Sequence, residues 1–157
     1  MTLNLIMKYF ILTIGHMKNS PEGNLYEHFS KRIKNNLFLK EYVSKCPSGN
    51  SKKKDESKKL FEMIEKGGLK ILLDQSGKQL SSKELSKNIV NCKNQGWSRI
   101  NFIIGGANGV EDSLKNEMDF ILSLSSMTWP HLLARSMLIE QIYRAETIIS
   151  GHPYHRE

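Results

Sequence analysis

The sequence predicts a single α/β domain built on a mainly parallel sheet with helices on both faces. Three observations carry this. Short apolar runs alternate along the whole chain with segments of helical periodicity. The 157 residues fit one domain and can bury a real core without covalent staples. A hydrophobic content of 39% is ordinary for a globular chain.

Lys8 to Ile14 is nearly all apolar, as a strand buried on both faces should be. Gly15 to Gly23 reads as a turn region. Leu25, Phe29, Ile33 and Leu37 recur every four residues and mark one face of a helix. Leu37 to Val43 mixes apolar and charged residues and suggests a second strand. Lys45 to Lys59 contains Cys46-Pro47-Ser48-Gly49-Asn50-Ser51 and Lys52-Lys53-Lys54. It reads as a mobile basic loop without packing residues.

Leu60, Phe61 and Ile64 lead a helix that ends at Gly67-Gly68. Leu69 to Leu73 is a short strand, closed by Asp74-Gln75-Ser76-Gly77. Ser81 or Ser82 caps the next helix, with Glu84 in its first turn and Leu85, Ile89 and Cys92 along it. Ile100 to Ile104 is a strand, followed by Gly105-Gly106-Ala107-Asn108-Gly109. A short acidic helix over 111–118 precedes a strand from Phe120 to Leu124.

Pro130 stands at the first turn of a long last helix, His131 to Ile149, where its missing N–H costs nothing. Leu133, Met137, Leu138, Ile142 and Ile149 make an apolar stripe larger than one small sheet needs, which predicts a homodimer. There is no internal repeat. Residues 1–157 read as one domain, with Met1 to Ile6 as an N-terminal extension and Met7 as an alternative start.

Cys46 and Cys92 are too few for a disulfide scaffold, lack metal-ligand spacing, and read as reduced thiols of a cytoplasmic protein. No window approaches the roughly 18 unbroken apolar residues of a membrane helix. The apolar N-terminal run lacks the basic start and small-residue cleavage site of a signal peptide. Net charge is +7, with 19 basic and 9 acidic residues over 1–100 against 4 and 7 over 101–157. Such an excess fits a polyanion partner, nucleic acid ahead of membrane, or a merely solvated Lys-rich surface.

In an open parallel sheet, ligands bind beyond the carboxyl ends of the strands. Three such ends are distinctive here: Leu73 to Gly77, Gly105 to Gly109, and Ser123 to His131. None matches a standard phosphate signature, neither Gly-Lys-Ser/Thr nor Gly-x-Gly-x-x-Gly. The tail gathers His152, Tyr154, His155 and Arg156 at an end that ordinarily frays. His152 and His155 lack the helix spacing and third ligand of a catalytic zinc site, so no metal is expected. No Ser-His-Asp or Cys-His order can be read from spacing.

The stretches Ile103 to Gly109, Leu122 to His131, Glu140 to Ala145 and His152 to Glu157, taken in this order, resemble the RlmH family of ribosomal RNA large subunit methyltransferases, in the SPOUT superfamily. The likeness runs from about Met7 to the C-terminus, though the N-terminal half matches only in length and strand pattern. The resemblance implies a C-terminal trefoil knot whose loops hold S-adenosyl-L-methionine in a bent shape. It implies an obligate homodimer in which the partner completes the RNA site. The implied reaction is methyl transfer to N3 of a pseudouridine of 23S rRNA, conventionally position 1915, on the assembled ribosome. A non-catalytic basic RNA- or ribosome-binding factor is the competing reading.

By the same resemblance, Leu73 lines the adenosine pocket and Gly105 lets the backbone approach the cofactor. Leu124, Ser125, Ser126, Met127, Thr128 and Trp129 wrap the adenine and ribose. Tyr154, His155 and Arg156 approach the target base or its phosphates. The N3 proton must leave, so a base or an anion-stabilising charge should help, and His155 and Arg156 have that chemistry. Trp129 departs from the Leu or Phe expected there, His16 follows Gly15 where a lysine is common nearby, with Lys18 as its substitute, and the basic stretch Lys45 to Lys59 departs from the family pattern.

Overall fold

The computed structural model describes residues 6–33 and 36–156. Five strands form one all-parallel sheet: β1 (Lys8–Ile14), β2 (Leu37–Tyr42), β3 (Leu69–Gln79), β4 (Arg99–Ile104) and β5 (Phe120–Ser123), in the order β2-β1-β4-β3-β5. The predicted α/β class, mainly parallel with helices on both faces, is therefore what the chain adopts. Residues 1–5, most of the expected N-terminal extension, lie outside the described residues.

Alternating side chains along β1 divide the core. Tyr9 and Ile11 join Phe102 and Ile104 beneath α1 (Pro21–Ser30), α3 (Ser82–Asn94) and α5 (His131–Ser150). Phe10, Leu12 and Ile14 join Ile103 beneath α2 (Asn50–Met63) and α4 (Asp112–Asn116). This period of two is the pleat itself, and because both faces are covered, both sets are apolar.

The expected cap of α3 forms, whereas the helix expected to run from Leu60 to Gly67-Gly68 is the last turn of α2, which stops at Met63 with Ile64 extended. Ser81 and Glu84 make a reciprocal capping box at α3. Ser20 caps α1, whose first residue is Pro21, so the helix begins inside the expected turn region. Leu37, whose spacing placed it on a helix face and which also began the expected second strand, opens β2.

Two further expectations need correction. The stretch read as a mobile loop over 45–59 is helical from Asn50 onward, as α2. Its inward face is Glu56, Ser57 and Leu60, and the first two are polar, so hydrophobic periodicity could not mark it. The strand read as ending at Leu73 runs on to Gln79, with a register shift between Leu73 and Lys78 that keeps it beside β5. At Gly77 a Cβ would lie 2.5 Å from the Ile121 carbonyl oxygen, so glycine lets the two backbones meet there.

The long stripe of α5 is largely used within the protomer, since Leu138 and Ile142 are fully buried in the core with Ile139. Met137 remains in a groove of about 500 Å³ with Leu25, Phe29 and Leu80.

Candidate active site

The three distinctive loops meet. The carboxyl ends of β3, β4 and β5 and the start of α5 enclose a cavity of about 820 Å³. Of the eight residues expected to hold a cofactor, Leu73, Gly105, Leu124, Ser125, Met127, Thr128 and Trp129 line it. Ser126 is exposed on the same loop and is not among the lining residues.

Backbone chemistry explains the glycines. A Cβ at Gly105 would lie 2.7 Å from Val110 Cγ1. Gly109 has φ +70°, and its N–H donates to the Gly106 carbonyl at 3.0 Å, closing a tight turn. From the other side, a Cβ at Gly106 would come within 2.9 Å of Glu56 Oε2 and 3.0 Å of Ile14 Cγ2.

The loop after β5 is ordered by one hydroxyl. Ser125 Oγ accepts from the Met127 N–H and from the Trp129 indole N–H, each at 3.0 Å. The departure at Trp129 thus adds a donor that a Leu or Phe lacks. Thr128 Oγ1 donates to Gln75 Oε1 at 2.8 Å and ties this loop to the one after β3.

Five polar residues of the cavity had no assigned role from sequence: Asp74, Gln75, Ser76 and His131, which lie in the distinctive loops, and Lys115, which lies outside them. Asp74 Oδ2 lies 3.2 Å from Lys115 Nζ, and its Oδ1 accepts from the Ser76 N–H at 2.9 Å. Burial opposes ionisation of Asp74, but the Ser76 hydrogen bonds and the Lys115 ammonium outweigh it and hold its carboxyl below the usual range. Burial and the Arg135 cation push His131 below the ordinary imidazole value, so its ring is neutral at physiological pH. Its position directly after Pro130 was the available signal.

The tail lies elsewhere. Tyr154 O–H donates to Glu140 Oε1 at 2.9 Å, its ring meets Tyr143 edge-on, and the Arg144 guanidinium sits 4.8 Å from its centroid. His155 Nδ1 is 3.3 Å from Arg144 Nη1. Burial and the Glu140 bond raise the Tyr154 phenol above its ordinary value. Glu140, Tyr143 and Arg144 share one face of α5 by their three- and four-residue spacing. They hold down a terminus that composition alone would leave frayed.

No described tail residue lines the cavity of its own protomer. The twenty residues of α5 span about 28 Å at 1.5 Å per residue. The tail folds back only as far as Glu140, still some 14 Å along the helix from His131.

Among the described residues no three His, Cys, Asp or Glu groups could hold a metal ion, and no helix is long and apolar enough to cross a membrane.

Comparison with known proteins bears on this site. Residues 7–155 match the family described as predicted SPOUT methyltransferase. The chain is 34% identical over 151 residues to ribosomal RNA large subunit methyltransferase H of Paramagnetospirillum magneticum, covering 96% of this chain and 99% of that one. It is 37% identical over 161 residues to the protein of the same description in Chelativorans, covering 96% and 92%. A probable methylase family protein of Haemophilus influenzae superposes with TM-score 0.59 at 9% identity, over 96% of this chain and 71% of that one. A methyltransferase of Legionella pneumophila, solved with bound SAM, gives TM-score 0.50 at 12% identity, over 89% and 66%. At such identities the two structures speak to the fold alone.

Proposed function

The chain belongs to the SPOUT methyltransferases, and within them to the ribosomal RNA large subunit methyltransferase H family, and from that premise we propose that it methylates N3 of a pseudouridine in 23S rRNA on the assembled ribosome, using S-adenosyl-L-methionine. The observation that carries this reading is the cavity at the carboxyl ends of β3, β4 and β5, where seven of the motif residues converge.

The cavity's residues fit that cofactor. Leu73, Ile104, Leu122, Leu124 and Trp129 supply apolar walls for a purine, and the glycine loop offers backbone at close approach. Asp74 and Lys115 give one wall both signs of charge, which suits a zwitterionic amino-acid end. The bound group supplies a methyl already electrophilic on a sulfonium. The protein's task is then alignment of the attacking nitrogen and removal of its proton.

Tyr154, His155 and Arg156 are the groups we assign to the target nucleotide. Tyr154 can stack on a base, His155 offers an imidazole nitrogen as proton acceptor, and Arg156 can hold a phosphate or stabilise the imide anion. Because the tail lies far along α5 from the cavity of its own protomer, the reading requires a homodimer in which each tail serves the other cavity. The trefoil knot implied by the resemblance belongs to the same reading, as does a cytoplasmic location with the ribosome.

Calorimetry with S-adenosyl-L-methionine, followed by tritiated methyl transfer to ribosomes and mass spectrometry of 23S rRNA fragments, tests it. Saturable cofactor binding and a single methylated pseudouridine are expected. RNA binding without cofactor binding would return the chain to the non-catalytic class.

A further inference from the structure

The basic stretch, now a helix, packs against the glycine loop that lines the site. We propose that α2, through the exposed Lys54 and Lys58 and the half-buried Lys53 in the turn before them, is the surface on which the phosphate backbone of the RNA substrate docks; this rests on the RNA-methyltransferase reading.

The placement follows from topology. β2 ends at Tyr42 on the edge where the cavity opens, and β3 begins at Leu69 on the opposite edge. α2 therefore runs down the sheet with its N-terminal turns at the cavity edge. Two contacts fix it there. Glu56 Oε2 stands where a Cβ of Gly106 would have to go, and Ser57 Oγ accepts from the Glu111 N–H at 2.9 Å. Both partners lie in the segment after β4, and Gly106 lines the cavity. The helix is thus packed against the back of the glycine loop.

Its charges are arranged against the stability of a lone helix. Gly49 gives no side-chain cap, the first turn holds no acidic residue, and Lys52, Lys53 and Lys54 crowd the end where the helix dipole is already positive. Glu56, Ser57 and Leu60 face inward, which turns Lys54 and Lys58, one helical turn apart, to solvent. Lys59 pairs with Glu62 at 3.9 Å, whereas Lys53, Lys54 and Lys58 have no ion pair among the described residues. Lysines without an ion pair among the described residues, on a helix with an uncapped start that packs behind the cavity's glycine loop, match an external anion. The +10 balance of residues 1–100 gives that anion the character of a polyanion.

The surface is distinct from the tail. The tail's aromatic, imidazole and guanidinium groups suit a base and its near phosphate. Lysines on a helix supply point charges that hold a backbone without reading sequence.

The test replaces all three, Lys53→Gln, Lys54→Gln and Lys58→Gln, in the full chain. A control removes equal charge from exposed lysines elsewhere: Lys8→Gln, Lys66→Gln and Lys87→Gln. Binding to ribosomes is titrated from 50 to 300 mM salt, with calorimetry for S-adenosyl-L-methionine and methyl transfer at saturating ribosomes. Each lost phosphate contact should flatten the log–log salt slope by about 0.7–0.9, so the α2 variant should lose about 2 from the slope and the control almost nothing. Its ribosome KM should rise about tenfold or more, with kcat and cofactor affinity unchanged.

An unchanged slope, or equal losses in variant and control, would overturn the docking surface and leave the enzymatic reading intact. A wild-type protein that binds no ribosomes at any salt would overturn both.

Discussion

Arg135 is the residue on which the start of α5 depends, and its removal gives a sharp test of how the site is held. The side chain is fully buried. Nη1 donates to Glu41 Oε2 at 2.8 Å, and Nη2 donates to the carbonyls of Ile14 and, at 3.0 Å, Gly15. Burial pulls the guanidinium below its ordinary value, while Glu41 supports the charge. Glu41 also accepts from the Met17 N–H at 2.9 Å. One cation thus ties α5 to the ends of β1 and β2, with His131 one turn above it in the cavity wall.

Arg135→Met would leave two carbonyls and a carboxylate without their donor. Breaking a buried pair from one side costs about 3–5 kcal/mol. The Glu41 side chain keeps 22% of its surface exposed, so water recovers part of that. The lower end, about 3 kcal/mol, is therefore expected. At about 2–4 °C per kcal/mol for a chain of this length, the melting temperature should fall by roughly 6–12 °C. Urea unfolding should show a lower midpoint with an unchanged slope. Adding Glu41→Gln to Arg135→Met should cost little more, because the stranded charge is then gone. A loss below about 1 kcal/mol, the range of an exposed pair, would show that this network does not fasten α5.

Gly105→Val should weaken S-adenosyl-L-methionine affinity at least tenfold by calorimetry, because its Cβ would meet Val110 Cγ1 at 2.7 Å and branch into the cavity. Removing residues 152–157 should abolish tritiated methyl transfer and leave most cofactor affinity intact; a truncated protein of normal activity would undo the tail's assigned role. Glu56 is only 2% exposed, and its Oε2 has no hydrogen-bond partner. Burial raises its pKa, so the folded chain holds that proton more tightly than the unfolded chain, and this carboxyl's stabilising share is lost as pH rises through its folded value. Glu56→Gln should accordingly melt above wild type at pH 7, and the gap should close as pH falls toward about 4.

The strands were legible because both faces of a parallel sheet demand apolar residues, as Lys8 to Ile14 and Ile100 to Ile104 show. The start of α3 was legible because Ser81 and Glu84 satisfy backbone donors by a local rule. Helix α2 was not, because what it buries is Glu56 and Ser57, chosen for contact with a loop fifty residues away. The cavity loops were marked by glycine and hydroxyl content, and the resemblance supplied their cofactor role. The pairing of Asp74 with Lys115 stayed hidden because it joins β3 to the helix α4, forty-one residues on, and leaves no spacing to find. The tail's order was hidden too, since its anchors on α5 become visible only when the chain turns back at Gly151, with φ +70°.

The separation of cavity and tail along α5 makes a quantitative demand on any dimer. If each tail serves the partner's cavity, the two defects fall in different protomers' sites and can complement. A protomer bearing Gly105→Val has a blocked cavity and a sound tail; one lacking 152–157 has the reverse. When the two are mixed as unfolded chains and refolded in equal amounts, about half the dimers contain one of each, by random pairing about a two-fold axis. In such a dimer the sound cavity meets the sound tail once, and the other site lacks both. Activity should therefore recover to about a quarter of wild type per protomer, from two parents that are each inactive. Sites completed within one protomer would give no recovery, because every cavity with a sound glycine loop would then be paired with a missing tail. Light scattering on the same samples fixes the pairing, and a monomeric wild type at micromolar concentration would exclude the shared site outright.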